Sequence, residues 1–328
     1  MTASASITKL NDGIIAIDTE YARPLQDASH LINASGKAAF VDTGANSAVP
    51  LLLDALDQQG LDVADVETVF LTHVHLDHAG GAGLLMQQLP NARCVIHPRG
   101  APHMIDPTKL IAGTEAVYGK DQTREIYGEI LAIDESRVDV AEDGQWFDLN
   151  GRRLQTIFTE GHAKHHYVLN DPTSRGVFTG DSFGVSYRET DTANGAIIFP
   201  TTTPIDFDPD EAHKSIDRIM ALEPDYVYVT HYSRVSDLQR LAADMHQCID
   251  DYVAMALDVE QANEAAGNDT DARQQALEES MFEYMIGRLA RHGFKGGRDT
   301  VMSIMQIDVS LNAQGLDVWL SRRKKKQE

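Results

Sequence analysis

Cysteine, basic residues and long apolar runs are all scarce in this 328-residue chain, and each scarcity excludes a class of protein. The two cysteines, Cys94 and Cys248, are too few for a disulfide framework and lie in apolar segments typical of buried free thiols. No apolar stretch reaches the roughly 18 residues that a membrane span needs, and Met1 to Leu10 lacks the basic-then-apolar pattern of a secretory leader. We therefore expect a cytoplasmic protein with no membrane partner.

Basic residues are few compared with acidic ones. The chain has 28 lysines and arginines against 50 aspartates and glutamates, which gives a formal net charge of −22. Because a nucleic-acid partner requires a basic surface for its phosphates, this balance predicts no nucleic-acid binding. The exception is the basic run at 322–326, which we interpret as a solvated, frayed terminus.

The hydrophobic pattern changes near residue 235. Before that point, strand-like runs alternate with helix-like ones, which predicts an α/β catalytic domain over residues 1–235. Within it, the proline-interrupted segment 98–135 is harder to assign and is expected to border the site. Over residues 236–328 apolar side chains recur every three or four positions, which predicts an all-helical extension, although Gly315 weakens its last helix. Such a face is more typical of packing and homodimer formation than of cofactor binding.

The most informative pattern is His73-Val74-His75-Leu76-Asp77-His78, which places four potential metal ligands within six residues. It ends a strand-like run, and alternate side chains of an extended segment share a face, so His73 and His75 are predicted to converge on one ion. Asp77 and His78 lie past the strand end and are free to face a second ion. Imidazoles and a carboxylate this close together favour a bound cation over a histidine-rich surface loop.

Three further ligand candidates, His162, Asp181 and His231, each follow a predicted strand. Strand ends are where α/β proteins build their sites. Any one of these residues alone would more often be structural, because a lone His or Asp at a strand end commonly caps a turn. Together with the string at 73–78 they complete a set of metal-ligand candidates.

In these motifs the chain resembles the metallo-β-lactamase superfamily, and in particular its glyoxalase II and lactonase branches. The matching motifs, in family order, are Val41-Asp42-Thr43-Gly44, Thr72 to Gly81, Gly161-His162, Thr179-Gly180-Asp181 and Thr230-His231. The resemblance implies an α/β fold, the αβ/βα four-layer sandwich of two mixed sheets, with a binuclear metal centre at one edge.

The resemblance also implies a role for each ligand candidate. One ion would be held by His73, His75 and His162. The other would be held by Asp77, His78 and His231, with Asp181 bridging the two. Asp42 would support these ligands without being one.

The chemistry expected of such a centre is hydrolysis. Imidazole and carboxylate ligands suit two divalent metal ions, zinc before iron or manganese. Two such ions about 3.5–4 Å apart can share a water, lower its pKa towards about 7 and stabilise the oxyanion that forms on attack. Asp77 is placed both to bind an ion and to orient the hydroxide, which makes it the candidate catalytic residue.

Two departures from the superfamily leave the substrate open. Many of its hydrolases carry a Gly-His-Thr-Pro-Gly-His type of loop, whereas this chain has Gly161-His162-Ala163-Lys164-His165-His166. Lys164 or His165 could bind an anionic group of the substrate or lie exposed on the surface, and His166 is expected behind the ligands. Tyr232 stands where a glycine is usual, and either polarises a carbonyl or packs against the helical extension.

The leading hypothesis is a metal-dependent hydrolase that cleaves an ester, thioester or lactone bond in a small molecule. A phosphodiesterase of the same fold is the first alternative, because the same metal pair serves phosphorus centres. The second is a flavin-free, di-iron oxygen-binding or redox protein related to flavodiiron cores, although those usually have Glu in place of His75. Glyoxalase II itself fits less well, since the C-terminal part lacks an obvious basic cluster for a glutathione-like anion.

Overall fold

The computed structural model describes residues 4–327, with the side chains of all of these except 117, 118, 326 and 327. By compactness the chain divides into two units. Unit 1 comprises the residues up to Phe158, His165–Gly180 and Leu222–Ser236, and unit 2 comprises Thr159–Lys164, Asp181–Ala221 and the residues from Asp237 onward. Unit 2 thus takes in two earlier segments besides the C-terminal region, and the division into domains at residues 235 and 236 stays a prediction.

The described part of unit 1 contains two mixed β-sheets. The first has seven strands in chain order: β1 (Ile7–Lys9), β2 (Ile14–Asp18), β3 (Ala28–Ala34), β4 (Lys37–Val41), β5 (Val66–Leu71), β6 (Arg93–Ile96) and β7 (Val138–Val140). Strands β1 to β4 pair antiparallel, and β4 to β7 pair parallel. The second has six strands: β8 (Trp146–Leu149), β9 (Arg152–Phe158), β10 (Tyr167–Asp171), β11 (Gly176–Gly180), β12 (Tyr226–Val229) and β13 (Ser233–Val235). In this sheet only β11 and β12 pair parallel.

Ten α-helices accompany the sheets in residues 4–327. Unit 1 holds α1 (Val49–Gln58), α2 (Leu76–Ala79), α3 (Ala82–Gln88), α4 (Ala101–Ile105), α5 (Thr108–Tyr118) and α6 (Lys120–Tyr127). Unit 2 holds α7 (Pro209–Met220), α8 (Leu238–Ala266), α9 (Thr270–Arg291) and α10 (Arg298–Gln327). None of these helices is both long and apolar enough to cross a bilayer.

Strand β4 shows why the first sheet has two buried faces. Successive side chains of a strand point to opposite faces. Ala39 and Val41 join an apolar core that both sheets share with residues such as Phe178 of β11. Ala38 and Phe40 join a second core formed with α1 and α3. Burial on both faces explains the continuous apolar runs of these parallel strands.

The predicted fold class is confirmed: two mixed sheets are flanked by helices, and α8 to α10 form the C-terminal helical region. The short strands β1, β7 and β13 were not predicted, because three residues are too few to show an alternating pattern. Strand β10, directly after the histidine loop, was also missed. Its inward side chains are few, with Tyr167 and Leu169 supplying its share of the core between the sheets.

The predicted last helix is present, and one prediction for the C-terminal region, the frayed terminus, is wrong. Gly315 does not interrupt α10, and its lack of a side chain is needed, because a Cβ there would lie 1.4 Å from the carbonyl oxygen of Thr202. The basic run at 322–326 is not frayed but continues α10 as far as Gln327. The acidic face of α8 stabilises this run, since Arg323 lies 3.5 Å from Glu260 and Lys324 lies 2.9 Å from Glu264.

His30 gives the protein a predictable dependence of stability on pH. Its ring is buried against Phe178 and Tyr228, and this burial lowers its pKa from 6.5 to about 4. Between these values the unfolded chain takes up a proton that the folded chain does not. The contribution of His30 to the free energy of unfolding should therefore fall as the pH drops through this window, by up to about 3 kcal/mol, whereas Asp27, whose pKa burial raises to about 6, contributes in the opposite direction. Burial also lowers the pKa of His97 to about 4, which adds to the same slope.

Urea denaturation of the metal-free protein at several pH values between 7.5 and 4.5 measures this slope. His30→Phe should lose less free energy of unfolding than wild type between these pH values, and His103→Phe, at a half-buried position on α4, is the matched control. Equal slopes for wild type and His30→Phe would contradict the prediction.

Candidate metal centre

The histidine string at 73–78 changes from extended to helical conformation partway along. His75 is extended at the N-cap of α2, with φ −64° and ψ 146°. The structure brings His73 and His75 together, with the Nε2 atom of His73 2.9 Å from the Nδ1 atom of His75. Asp77 and His78 lie in the first turn of α2, where each residue rotates the side chain by about 100°.

Asp77, His78 and His231 form a ligand group within unit 1. His231 comes from the segment that links β12 to β13. The Oδ2 atom of Asp77 lies 3.7 Å from Nε2 of His78 and 3.6 Å from Nε2 of His231. One ligand atom from each residue lies within 4.8 Å of the others, a spacing that suits a single ion at about 2 Å from each.

Each imidazole of this group is held from behind by a buried carboxylate. The Nδ1 atom of His78 lies 2.9 Å from Oδ2 of Asp42, and the Nδ1 atom of His231 lies 2.6 Å from Oδ1 of Asp27. An Nδ1–H that donates to a carboxylate leaves the Nε2 lone pair for a metal, which is the usual arrangement around metal-bound histidine. Burial raises the pKa of Asp27 to about 6, against the opposing effect of His231.

Asp42 connects the ends of three strands. Its carboxylate accepts hydrogen bonds from the backbone N–H of Thr72 at 2.8 Å and from the hydroxyls of Thr72 and Thr230 at 2.9 and 3.1 Å. These residues directly follow β5 and β12, and Asp42 itself follows β4. Asp42 thus contacts the ligand candidate His78, and its supporting role stays a prediction.

His162 and Asp181 lie together in unit 2. The Nε2 atom of His162 is 3.5 Å from Oδ2 of Asp181, and its Nδ1 atom is 2.8 Å from the hydroxyl of Thr201. That hydroxyl also lies 3.3 Å from the carbonyl oxygen of Asp181. A narrow cavity beside the pair has apolar walls that include Phe207 and Met245. The Nδ1 atom of His162 is thus within hydrogen-bond distance of a buried hydroxyl.

The substrate candidates differ in their surroundings. Lys164 is half-exposed and lies 3.0 Å from Asp206. His165 packs edge-on against His75, with ring centroids 5.5 Å apart, and the buried His166 stacks on His73 at 4.8 Å. Tyr232 is buried. The place of His166 behind the ligands and the roles of the others in substrate binding stay predictions.

Segment 98–135 packs against Leu76 of the histidine string. Tyr127 of α6 and Ile130 share a small core with Leu76. The hydroxyl of Tyr127 lies 2.9 Å from that of Tyr21, a residue that the sequence did not single out. Burial and the nearby Asp77 raise the pKa of Tyr21 above its ordinary range, which keeps this hydroxyl protonated.

Sequence reasoning missed Asp27 and Thr201, which hold His231 and His162. Asp27 had a weak signal, since a carboxylate stands directly before the buried strand β3. Nothing in the local sequence marks Thr201, which lies in an irregular segment. Residues that position a ligand from a distant part of the chain become visible only in the fold.

The donor set fits divalent metal ions. Within unit 1 it offers imidazole nitrogens and a carboxylate, the ligands that zinc, iron and manganese share. The nitrogens that face away from the ligand group are engaged by Asp42 and Asp27, which fixes the direction of the lone pairs.

Comparison with known proteins agrees with this geometry. The chain is 31% identical over 202 residues to the metallo-beta-lactamase fold-containing protein ST1585 of Sulfurisphaera tokodaii, covering 60% of this chain and 69% of the relative. The crystal structure of ST1585, described as from Sulfolobus tokodaii, superposes with a TM-score of 0.60 at 22% identity, covering 94% of this chain and 99% of that one. At this level of identity, the superposition shows that the two proteins share a fold.

Two further relatives are more distant. The atrochrysone carboxyl ACP thioesterase of Aspergillus fumigatus is 25% identical, with 68% of this chain and 57% of the relative covered. The hydroxyacylglutathione hydrolase of Ruegeria pomeroyi is 26% identical, with 51% and 49% covered. The chain thus spans about half the length of these two relatives. A sequence model described as the metallo-beta-lactamase superfamily matches residues 22–231, and the chain belongs to that superfamily.

Proposed function

We propose that this protein is a metal-dependent hydrolase that cleaves an ester, thioester or lactone bond in a small molecule. The observation that carries the proposal is the group formed by Asp77, His78 and His231, whose two imidazoles are held from behind by Asp42 and Asp27. In a metal centre the lone pair of each ligand imidazole must point at the ion, whereas a structural cluster of histidines has no such requirement.

The proposed ligand assignment follows the order of the superfamily motifs. His73, His75 and His162 would hold one ion, Asp77, His78 and His231 the other, and Asp181 both. Divalent ions bound there, zinc in the first place, would supply Lewis acidity that lowers the pKa of a water to about 7. The carboxylate of Asp77 would accept a hydrogen bond from that water and so direct its lone pair at the carbonyl carbon.

The type of bond that we propose to be hydrolysed is inferred from the relatives. Both the thioesterase and the hydroxyacylglutathione hydrolase are named for cleavage of thioester-type bonds, and the HxHxDH string resembles the glyoxalase II and lactonase branches. Lys164 and His165 remain the proposed contacts for an anionic group of the substrate.

Partners and location belong to the same proposal. The charge of −22 favours a small molecule over nucleic acid. The buried free thiols of Cys94 and Cys248 suit a reducing compartment such as the cytoplasm. The helical region from residue 236 is proposed as a homodimer surface, which sedimentation equilibrium can test.

The deciding experiment combines metal analysis with a turnover screen. Protein expressed without added metal should contain about two divalent ions per chain, and chelation should remove both the ions and the activity. The screen compares thioesters, lactones, aryl esters and phosphodiesters. Turnover of phosphodiesters alone would favour the phosphodiesterase, and an oxo-bridged iron absorption without ester turnover would favour the di-iron protein. Either result would overturn the proposal.

A further inference from the structure

Helix α10 contacts the irregular segment that precedes α7 at three levels, all within unit 2. The hydroxyl of Tyr187 lies 3.1 Å from the carboxylate of Asp308. One turn further along α10, Asn312 binds Thr202. Near the end of the helix, Arg322 donates a hydrogen bond to the carbonyl oxygen of Ile205 at 2.7 Å.

The contact between Asn312 and Thr202 is the most specific of the three. The Oδ1 atom of Asn312 accepts hydrogen bonds from the backbone N–H and the hydroxyl of Thr202, at 2.5 and 2.9 Å. Both side chains are buried, with 2% and 0% of their surface exposed. Gly315 allows this approach, because any Cβ at its position would collide with the carbonyl oxygen of Thr202. A buried polar contact of this kind fixes the backbone of the segment.

The adjacent residue, Thr201, contacts His162, so the position of this segment affects the imidazole. Its hydroxyl has one hydrogen, and the carbonyl oxygen of Asp181 lies 3.3 Å away as the acceptor. The hydroxyl oxygen is then left to accept the Nδ1–H of His162 at 2.8 Å. This places the proton of His162 on Nδ1 and the lone pair on Nε2, the atom that lies 3.5 Å from the carboxylate of Asp181.

We propose that α10 is part of the metal centre's support: Asn312 and Thr201 are positioning residues that fix the tautomer and direction of His162. The inference rests on the proposed function only in taking His162 as a metal ligand. It gives the helical C-terminal region a role in this chain beyond packing, since a change in α10 alters the presentation of a ligand more than a hundred residues earlier.

The test compares isosteric variants in the full-length protein. Asn312→Leu removes the acceptor for Thr202, and Gln306→Leu makes a similar change at an exposed position of the same helix. Thr201→Val removes the hydroxyl that His162 contacts, whereas Thr201→Ser keeps it. Circular dichroism and thermal unfolding identify any variant that fails to fold, and the Thr201 pair then carries the test.

Two readouts are used, and the first needs no metal. Nitrogen-15 NMR of the histidines in the metal-free protein should show His162 protonated on Nδ1 in wild type, Gln306→Leu and Thr201→Ser. Asn312→Leu and Thr201→Val should give a mixture of tautomers. Zinc titration against a chelator should show one of two ions bound about 10- to 100-fold more weakly in the same two variants.

The possible failures are distinguishable. Wild-type protein that binds neither zinc, iron nor manganese but shows the expected tautomers would overturn the proposed function and leave the positioning role supported. Asn312→Leu and Thr201→Val that match their controls in both readouts would overturn the positioning role, whatever the protein hydrolyses.

Discussion

Asp77→Asn should lower kcat/KM by about 10²- to 10⁴-fold on whichever ester-type substrate the screen identifies, while the fold stays intact. The substitution keeps the size of the side chain but removes its negative charge. The Oδ2 atom, which lies 3.6–3.7 Å from two ligand imidazoles, is then half of a neutral amide that binds a cation weakly and cannot accept a proton. His75→Ala should have an effect of similar size, because His75 lies 2.9 Å from His73 in the other ligand pair.

Asp57→Asn is the matched control, since Asp57 is exposed on α1 and the substitution changes the charge equally. Its kcat/KM should stay within about twofold of wild type. Circular dichroism should show folded protein in all three variants, and metal analysis should show whether the loss follows the ions or the carboxylate alone. Undiminished turnover in Asp77→Asn or in His75→Ala would contradict the proposed mechanism.

The sequence singled out the ligand candidates because their signals are local. The string from His73 to His78 is dense, and His231 lies two residues past the end of β12. The apolar runs of β4 and β5 predicted buried strands, since a strand buried on both faces shows no polar alternation. The same runs did not say which strands would pair, because pairing depends on residues far apart in the chain.

The supporting residues could not be predicted from sequence for a related reason. Asp27 and Thr201 act through single contacts with histidines 204 and 39 residues away in the numbering, and neither belongs to a motif. In the C-terminal region, the low helix propensity of Gly315 weakened the prediction of a helix that is present. Close packing against Thr202 outweighs that propensity, because the cost of one helical glycine is small beside a steric clash.

Asp42→Ala should lower the free energy of unfolding of the metal-free protein by about 3–5 kcal/mol, the largest stability effect expected of a single site substitution here. The carboxylate is 1% exposed. Its removal leaves the N–H of Thr72, the Nδ1–H of His78 and the hydroxyl of Thr230 without their buried acceptor. Each buried donor that loses its partner costs about 1–3 kcal/mol.

Asp42→Asn separates the loss of stability caused by missing hydrogen-bond acceptors from the loss caused by backbone strain. Asp42 has a φ of +57°, a conformation that asparagine adopts readily and alanine does not. Asparagine also keeps one acceptor for Thr72, so Asp42→Asn should lower the free energy of unfolding by about half as much as Asp42→Ala. The control Asp57→Ala should change it by less than about 0.5 kcal/mol. Urea denaturation with chelator present measures all three variants. A loss below about 1 kcal/mol in Asp42→Ala would mean that the three strand ends are held by packing, and that Asp42 serves His78 alone.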